Sequence, residues 1–550
     1  MAARRATSAR MHGLMMDQPL LISSLIEAAA RFHPDTEIVT RTVEGPITRS
    51  SWGAVARRAR QVANALVKMG VKPGDRVATI AWNTQRHLEL YFGVSGIGAV
   101  LHTLNPRLPP EQLCYIVGHA EDRVVFFDTT FAKHAQGLIA SGAKVERYVA
   151  LTDEAHLPSD VPGVESYESL IQAESDQFSW PTFDEHTASS LCYTSGTAGE
   201  PKGVLYSHRS TVLHSYGAAM ADALGISAQD VTLPVVPMFH VNAWGVPYAA
   251  AMVGSKLVLP GPGLDGKSLL ELIEDEGVTS LLGVPTVWLG LLGHMRSLGH
   301  RLTKVRKVTI GGSACPPSMI RAFEDEHGAR VIHAWGMTET SPIGTVNILL
   351  PKHAALSDEA KLAIKAKQGR PIAGIDLRLV DDDGQVLAHD GHTSGHLQVR
   401  GPWVASAYFK NDTPILEDGW FATGDIATID RDGYMQITDR SKDVIKSGGE
   451  WISSIDLENA AMGFAGVAQA SAIGVAHPKW FERPLLLVVP QPGATVDLAA
   501  LRVHLADKLV RWWMPDAIEL IDALPLGATG KVLKRELRRR FAGYVLPADD

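Results

Sequence analysis

Cysteine is scarce in this sequence: 550 residues hold only Cys114, Cys192 and Cys315. They stand far apart, without CxxC or metal-ligand spacing, which excludes a disulfide framework and points to a reducing compartment, with the cytoplasm expected. Long apolar runs are missing too. "LLGVPTVWLGLL" is broken by Gly and Pro and stays short of the ~20 residues that cross a bilayer, so no transmembrane segment is expected. Nor is there an excess of positive charge. Fifty-two basic residues face 60 acidic ones, a formal charge of -8, which gives no electrostatic reason to bind nucleic acid or anionic lipid. The opening "MAARRATSARM" has no apolar core behind its arginines and is not a secretory signal. Residues 1–20 read as a tail, and an organelle-targeting peptide or a start placed upstream of Met11 or Met15 both remain open.

What is present suits a folded protein of two or three domains: hydrophobic residues make up 45% of the chain and charged residues 20%. Up to about residue 440, amphipathic stretches such as "WGAVARRARQVANALVKMG" alternate with short apolar runs such as "RVATIAW", "RVVFFD" and "SKLVLP". This predicts an α/β region of parallel sheets covered by helices, with ligands at the carboxyl ends of strands. Near residue 375 the pattern changes. "IDLRLVDDDGQVL", "SGHLQVRG" and "DIATIDRDGYMQITD" read as antiparallel hairpins turning at Asp-Gly, a β-rich subdomain. From Ser441 about 110 residues remain, with strands "AQASAIGV" and "RPLLLVVP" and the helix "DLAALRVHLADKLV", enough for a small α+β domain over 441–550 behind a large one over 21–440.

The segment "CYTSGTAGEPKG", residues 192 to 203, packs three glycines with three hydroxyl residues and a lysine. It is not a Walker A loop, because Lys202 precedes a glycine and follows Pro201. A surface turn would explain the composition alone. The apolar lead-in "ASSLCY" instead places the loop at a strand end, where backbone N–H groups and the hydroxyls of Thr194, Ser195 and Thr197 can converge on an anion such as a polyphosphate. Five more segments follow in order: "GGSACPP", "HAWGMTET", "DGWFATGDIA", "DRSKDVIKSGGEWIS" and "LPLGATGK". Together the six resemble the signature set of the adenylate-forming superfamily, which includes acyl-CoA synthetases, luciferases and adenylation domains. The resemblance spans nearly the whole chain and is strongest to bacterial medium- and long-chain fatty-acyl-CoA synthetases and the related methylthiopropanoate ligases.

That resemblance implies a reaction and the residues for it. A carboxylate attacks the α-phosphate of ATP to give acyl-AMP and pyrophosphate, and coenzyme A thiolate then displaces AMP. Both steps build charge on oxygen, which calls for fixed donors and cations. By resemblance Lys531 reaches the carboxylate and the α-phosphate from the small, mobile domain. Lys534, Arg535, Arg538, Arg539 and Arg540 behind it read as a solvated face. Glu339 and Thr194 are implied as holders of Mg2+ on the phosphates, with Thr338, Ser195, Gly196, Thr197, Gly199 and Lys202 around them. Asp425 and Arg440 are implied at the ribose. Gly312, Ser313 and Gly336 are implied along the nucleotide and acyl group, and Trp335 on the base, where many relatives carry tyrosine. Lys442 is the implied hinge about which Lys531 withdraws while Lys446, Gly449, Glu450 and Trp451 come to the coenzyme A channel.

Trp244 resembles a gate between the ATP site and an apolar acyl tunnel, and His240 resembles the active-site histidine beside it. On residues alone, each tryptophan would pass for core, and Asp425 and Glu339 for turn and helix-start residues. The neighbourhood "VVPMFHVNAWGVPYAAAM" holds no Asp, Glu, Lys or Arg, which favours an uncharged tail over an amino acid. A medium-chain fatty acid is the expected substrate. 3-Methylthiopropanoate, transfer to an acyl carrier protein, and a catalytically silent scaffold remain open as alternatives. A homodimer is implied by resemblance to long-chain relatives.

Overall fold

In the computed structural model, which describes residues 13–194, 200–447, 450–527 and 531–547, four sheets carry the chain. The apolar run Arg76–Ile80 pairs in parallel with Val100–Thr103 and Asp122–Phe127, in a seven-stranded sheet that ends on Ala188–Tyr193 and the antiparallel return Gly203–Ser207. A nine-stranded sheet repeats the plan. Its parallel centre runs through Lys256–Leu259, Val231–Pro234, Ser280–Gly283, Lys307–Ile310 and Arg330–Gly336, with antiparallel pairs at both edges. The helix Trp52–Lys68 begins where the hydroxyl of Ser51 accepts the N–H of Ala54, and it buries Trp52, Val55, Ala59, Val62 and Leu66 on one stripe. Continuous apolar strands with small or turn residues after them leave the carboxyl ends of both sheets open for ligands.

The Asp-Gly turns build what their composition predicts. Trp420–Ile429 and Met435–Arg440 pair antiparallel around the turn at Gly433, and Asp376–Val380 pairs with Gly395–Arg400. Beyond residue 445 a separate five-stranded sheet forms from Ile445–Ser447, Glu450–Ile452, Val467–His477, Phe481–Pro490 and Ala517–Leu520. Its apolar side chains pack in two clusters drawn from residues 445 to 546, apart from the cores of the preceding sheets. The chain is thus a large mixed α/β part with a β-rich sheet, followed by a small α+β part. No described helix is long and apolar enough to cross a membrane.

One expectation fails here. Lys534 does not belong to a solvated face: its ammonium lies 2.7 Å from Glu458 and also reaches the Ser454 hydroxyl, with the side chain mostly covered. Arg538 pairs with Asp443 at 2.8 Å. A charge run shows only in sequence that cations are adjacent, whereas these partners arrive from a helix and a joint far upstream.

Candidate active site

The strand Ala188–Tyr193 ends at Thr194, whose N–H donates to the Lys202 carbonyl at 2.9 Å while the Lys202 N–H donates back to the Thr194 hydroxyl at 3.4 Å. These bonds close the neck of the phosphate loop. Ser195, Gly196, Thr197 and Gly199 lie outside the described residues. Beside the neck stands the turn Thr338–Thr340, following the strand Arg330–Gly336. Tyr206 donates its hydroxyl to the Thr338 carbonyl at 2.6 Å, and Tyr408 donates to Glu339 Oε1 at 2.7 Å. Glu339 is only 6% exposed, so its carboxylate lies under cover of the surrounding protein.

Asp425 and Arg440 sit directly opposite each other on antiparallel strands, with Arg440 Nε 2.7 Å from Asp425 Oδ1. Asp425 is 1% exposed, and burial raises its pKa above the usual carboxylate range although Arg440 opposes the shift. The other carboxylate oxygen accepts the indole N–H of Trp335 at 3.1 Å. Oδ1 is buried against that guanidinium without a donor in full hydrogen-bond geometry. Trp335 itself lies against Gly344, where a Cβ would come within 2.4 Å of the ring. Its N–H therefore holds the carboxylate, a task that its position in "HAWGMTET" does not reveal.

Lys531 enters from the small part. Protein atoms crowding its ammonium, and then Arg440, lower its pKa to about 8, while Asp425 and Glu339 act in the opposite sense. The same lysine adds to the burial that pushes His240 down to about 4, so the imidazole is neutral near pH 7. One ammonium from the small part thus shares a field with Glu339, Asp425, Arg440 and His240 of the large part.

After His240 the backbone does something rare. Val241, Asn242, Ala243 and Trp244 take φ of 45°, 45°, 48° and 57°, and Gly245 follows at 73°. Consecutive left-handed residues are costly, most of all at a β-branched valine. Asn242 anchors the turn: its amide donates to Ser190 at 2.7 Å, and its carbonyl oxygen accepts the Cys192 thiol at 3.2 Å. The result lays Trp244 across Gly311, where a Cβ would sit 2.9 Å from the ring. Gly312 and Ser313 are exposed just beyond, after the strand Lys307–Ile310. Gly336 owes its missing side chain to protein, since a Cβ there would lie 1.8 Å from the Pro342 carbonyl oxygen.

Lys446 and Trp451 are not brought to this cluster. Lys446 lies over the Trp451 ring at 5.9 Å, and that ring meets His396 of the large part at 6.0 Å. Gly449 lies outside the described residues, and Glu450 is described by its backbone alone, paired with Ser447. The sequence reading missed Tyr206, Asn242 and Tyr408. None belongs to a Gly-rich or acidic motif, and only their partners mark them.

Among the described residues no group of three or more His, Cys, Asp and Glu forms a cation cage. The buried Glu339 carboxylate, held by Tyr408 through one oxygen, still fits magnesium, which keeps water and takes further ligands from substrate phosphates.

Comparison with known proteins gives these features a setting. Residues 26–409 match the model of the AMP-binding enzymes and residues 456–531 that of their C-terminal domain. The chain is 54% identical to a 3-methylmercaptopropionyl-CoA ligase of Ruegeria lacuscaerulensis, over 96% of this chain and 99% of the relative. It is 52% identical to a medium-chain-fatty-acid–CoA ligase of Ectopseudomonas oleovorans, over 98% of each. Among solved structures, ATP-bound MatB of Rhodopseudomonas palustris aligns with a TM-score of 0.78 at 26% identity, over 94% of this chain and 99% of that one.

Proposed function

The chain belongs to the AMP-binding enzymes and is an ATP-dependent, AMP-forming acyl-CoA ligase, and we propose that it acts on medium-chain fatty acids with the following division of labour. The observation that carries the reading is the buried cluster of Asp425, Arg440 and Trp335, with Lys531 of the small part within electrostatic reach of Asp425, Arg440, Glu339 and His240. Asp425 accepts the ribose hydroxyls, steadied by Trp335 and Arg440. Lys202, the neck at Thr194 and the loop between them hold the phosphates, beside Thr338. Lys531 draws the acid's carboxylate oxygen and a non-bridging α-phosphate oxygen together. The carboxylate oxygen then bonds to the α-phosphorus as the bond to pyrophosphate breaks. Fixed charges in a partly dry cleft lower such a barrier without reorganising at the moment of reaction.

Glu339 and Thr194 would hold magnesium, which neutralises phosphate charge when bound. Neutral His240 and Trp244 stand at the entrance to the acyl pocket. Gly312, Ser313 and Gly336 supply backbone along the nucleotide and acyl group. After pyrophosphate leaves, rotation about Lys442 withdraws Lys531 and brings Lys446, Gly449, Glu450 and Trp451 to the coenzyme A channel. The thiolate then attacks the acyl carbonyl and AMP departs.

The uncharged, largely buried wall at 235–252 supports an apolar acyl tail. A second reading, 3-methylthiopropanoate as substrate, is favoured by the 54% and 55% identical Ruegeria relatives. Cytoplasmic location, supported by three unpaired cysteines, and a homodimer complete the proposal. Coenzyme-A-dependent AMP formation across straight-chain acids, with 3-methylthiopropanoate in the same series, tests it. A maximum at intermediate length is expected. A maximum at the thioether acid moves the assignment to the second reading, and AMP at background with every acid overturns both. Light scattering of the purified chain tests the dimer.

A further inference from the structure

We propose that Tyr408 is a positioning residue that sets the acidic and basic walls of the phosphate site against each other, through its hydroxyl on Glu339 and its ring under Lys202. The inference rests on the reading above of Glu339 as the magnesium-holding carboxylate and of Lys202 as a phosphate-facing cation.

Tyr408 lies on a strap, residues 405–409, whose backbone is tied to both walls. At one end Ala405 donates its N–H to the Glu339 carbonyl at 2.7 Å, and at the other Phe409 donates to the Gly203 carbonyl at 2.8 Å. Between them Ala405 and Tyr408 pack on Cys192, Val204 and Tyr206, the root of the phosphate loop. The side chain repeats the connection. Its hydroxyl donates to Glu339 Oε1 at 2.7 Å, and the Lys202 ammonium stands 4.8 Å from its ring centroid.

The chemistry of each contact suits its neighbour's task. A neutral O–H fixes one oxygen of a buried carboxylate and leaves the other for a cation, whereas an arginine or lysine would cancel the charge that attracts the metal. Lys202 is exposed on a long, flexible stem. An aromatic face beneath the ammonium narrows its sweep while leaving its N–H donors free for phosphate oxygens. Tyr206 holds the neighbouring Thr338 carbonyl, which fixes the turn but touches neither charge.

Tyr408→Phe removes the hydroxyl and keeps the ring, and Tyr408→Leu removes both. Mn2+ is titrated into each full-length enzyme with α,β-methylene-ATP and free Mn2+ followed by electron paramagnetic resonance, beside KM values for ATP, acid and coenzyme A and the thermal midpoint. For Tyr408→Phe the metal dissociation constant is expected to rise about tenfold, with the KM for acid and coenzyme A and the thermal midpoint unchanged. Tyr408→Leu is expected to add a further rise of about threefold in the KM for ATP. Wild-type Mn2+ binding by Tyr408→Phe, together with weakened binding by Glu339→Gln, overturns the proposal and leaves the reading of Glu339 standing. Wild-type binding by both variants removes Glu339 from the metal site and the role of Tyr408 with it. A lowered thermal midpoint with an unchanged metal constant assigns Tyr408 to packing and also overturns the proposal.

Discussion

In the proposed mechanism Lys531 acts only while protonated, and crowding beside Arg440 brings its pKa to about 8. Because the ammonium is the active form, kcat/KM for ATP is expected to be full below that pH and to fall as pH rises through it, since this ratio reports the free enzyme. Lys531→Arg, which stays protonated, should lose that limb from whatever activity it retains. Asp425 is the complementary case. Asp425→Asn keeps the shape but removes the charge that Arg440 and Trp335 converge on, and about 1.5–3 kcal/mol is typical of a hydrogen bond to a charged group. The expected result is a KM for ATP raised roughly tenfold or more, with the KM for the acid little changed, read from steady-state kinetics.

The left-handed turn at 241–245 shows what one buried amide can hold. Removing the Asn242 side chain takes the amide from Ser190, leaves Cys192 with Thr103 alone, and strips the strained backbone of its anchor. Asn242→Ala should cost about 1–3 kcal/mol in thermal unfolding and raise the KM for the acid more than that for ATP. Sequence foretold much around this turn: the strand before the phosphate loop, the Asp-Gly hairpins that set Asp425 opposite Arg440, and the neutrality of the acyl wall all follow from local pattern. The turn itself did not show, because "VNAW" has no residue that prefers positive φ except Asn242. Lys534 was misjudged and Tyr408 overlooked for a shared reason. Their meaning lies in Glu458, Glu339 and Lys202, which only the folded chain brings near.

On the proposed division of labour the small part carries residues for two chemical steps: Lys531 feels the charges of Asp425 and Glu339, while the Trp451 ring meets His396. Lys531→Ala should therefore slow pyrophosphate release by about a hundredfold or more and spare thioester formation from supplied acyl-AMP, whereas Trp451→Ala should do the reverse. Pyrophosphate release and single-turnover thioester assays separate the two. The joint between the parts is polar. Across it the Ser453 hydroxyl donates to the Thr438 carbonyl, the Ser454 N–H donates to Asp439 at 2.8 Å, and the Trp451 ring meets His396. Since the apolar clusters beyond residue 445 are complete in themselves, a rotation about Lys442 would trade ionic and hydrogen-bonded contacts and uncover little hydrocarbon. Heat capacity tracks exposed hydrocarbon, so the balance between the two arrangements should carry almost none and respond to ionic strength instead. The enzyme's switch would then keep nearly the same enthalpy in the cold as in the warm, while its large core stiffens and loosens around it.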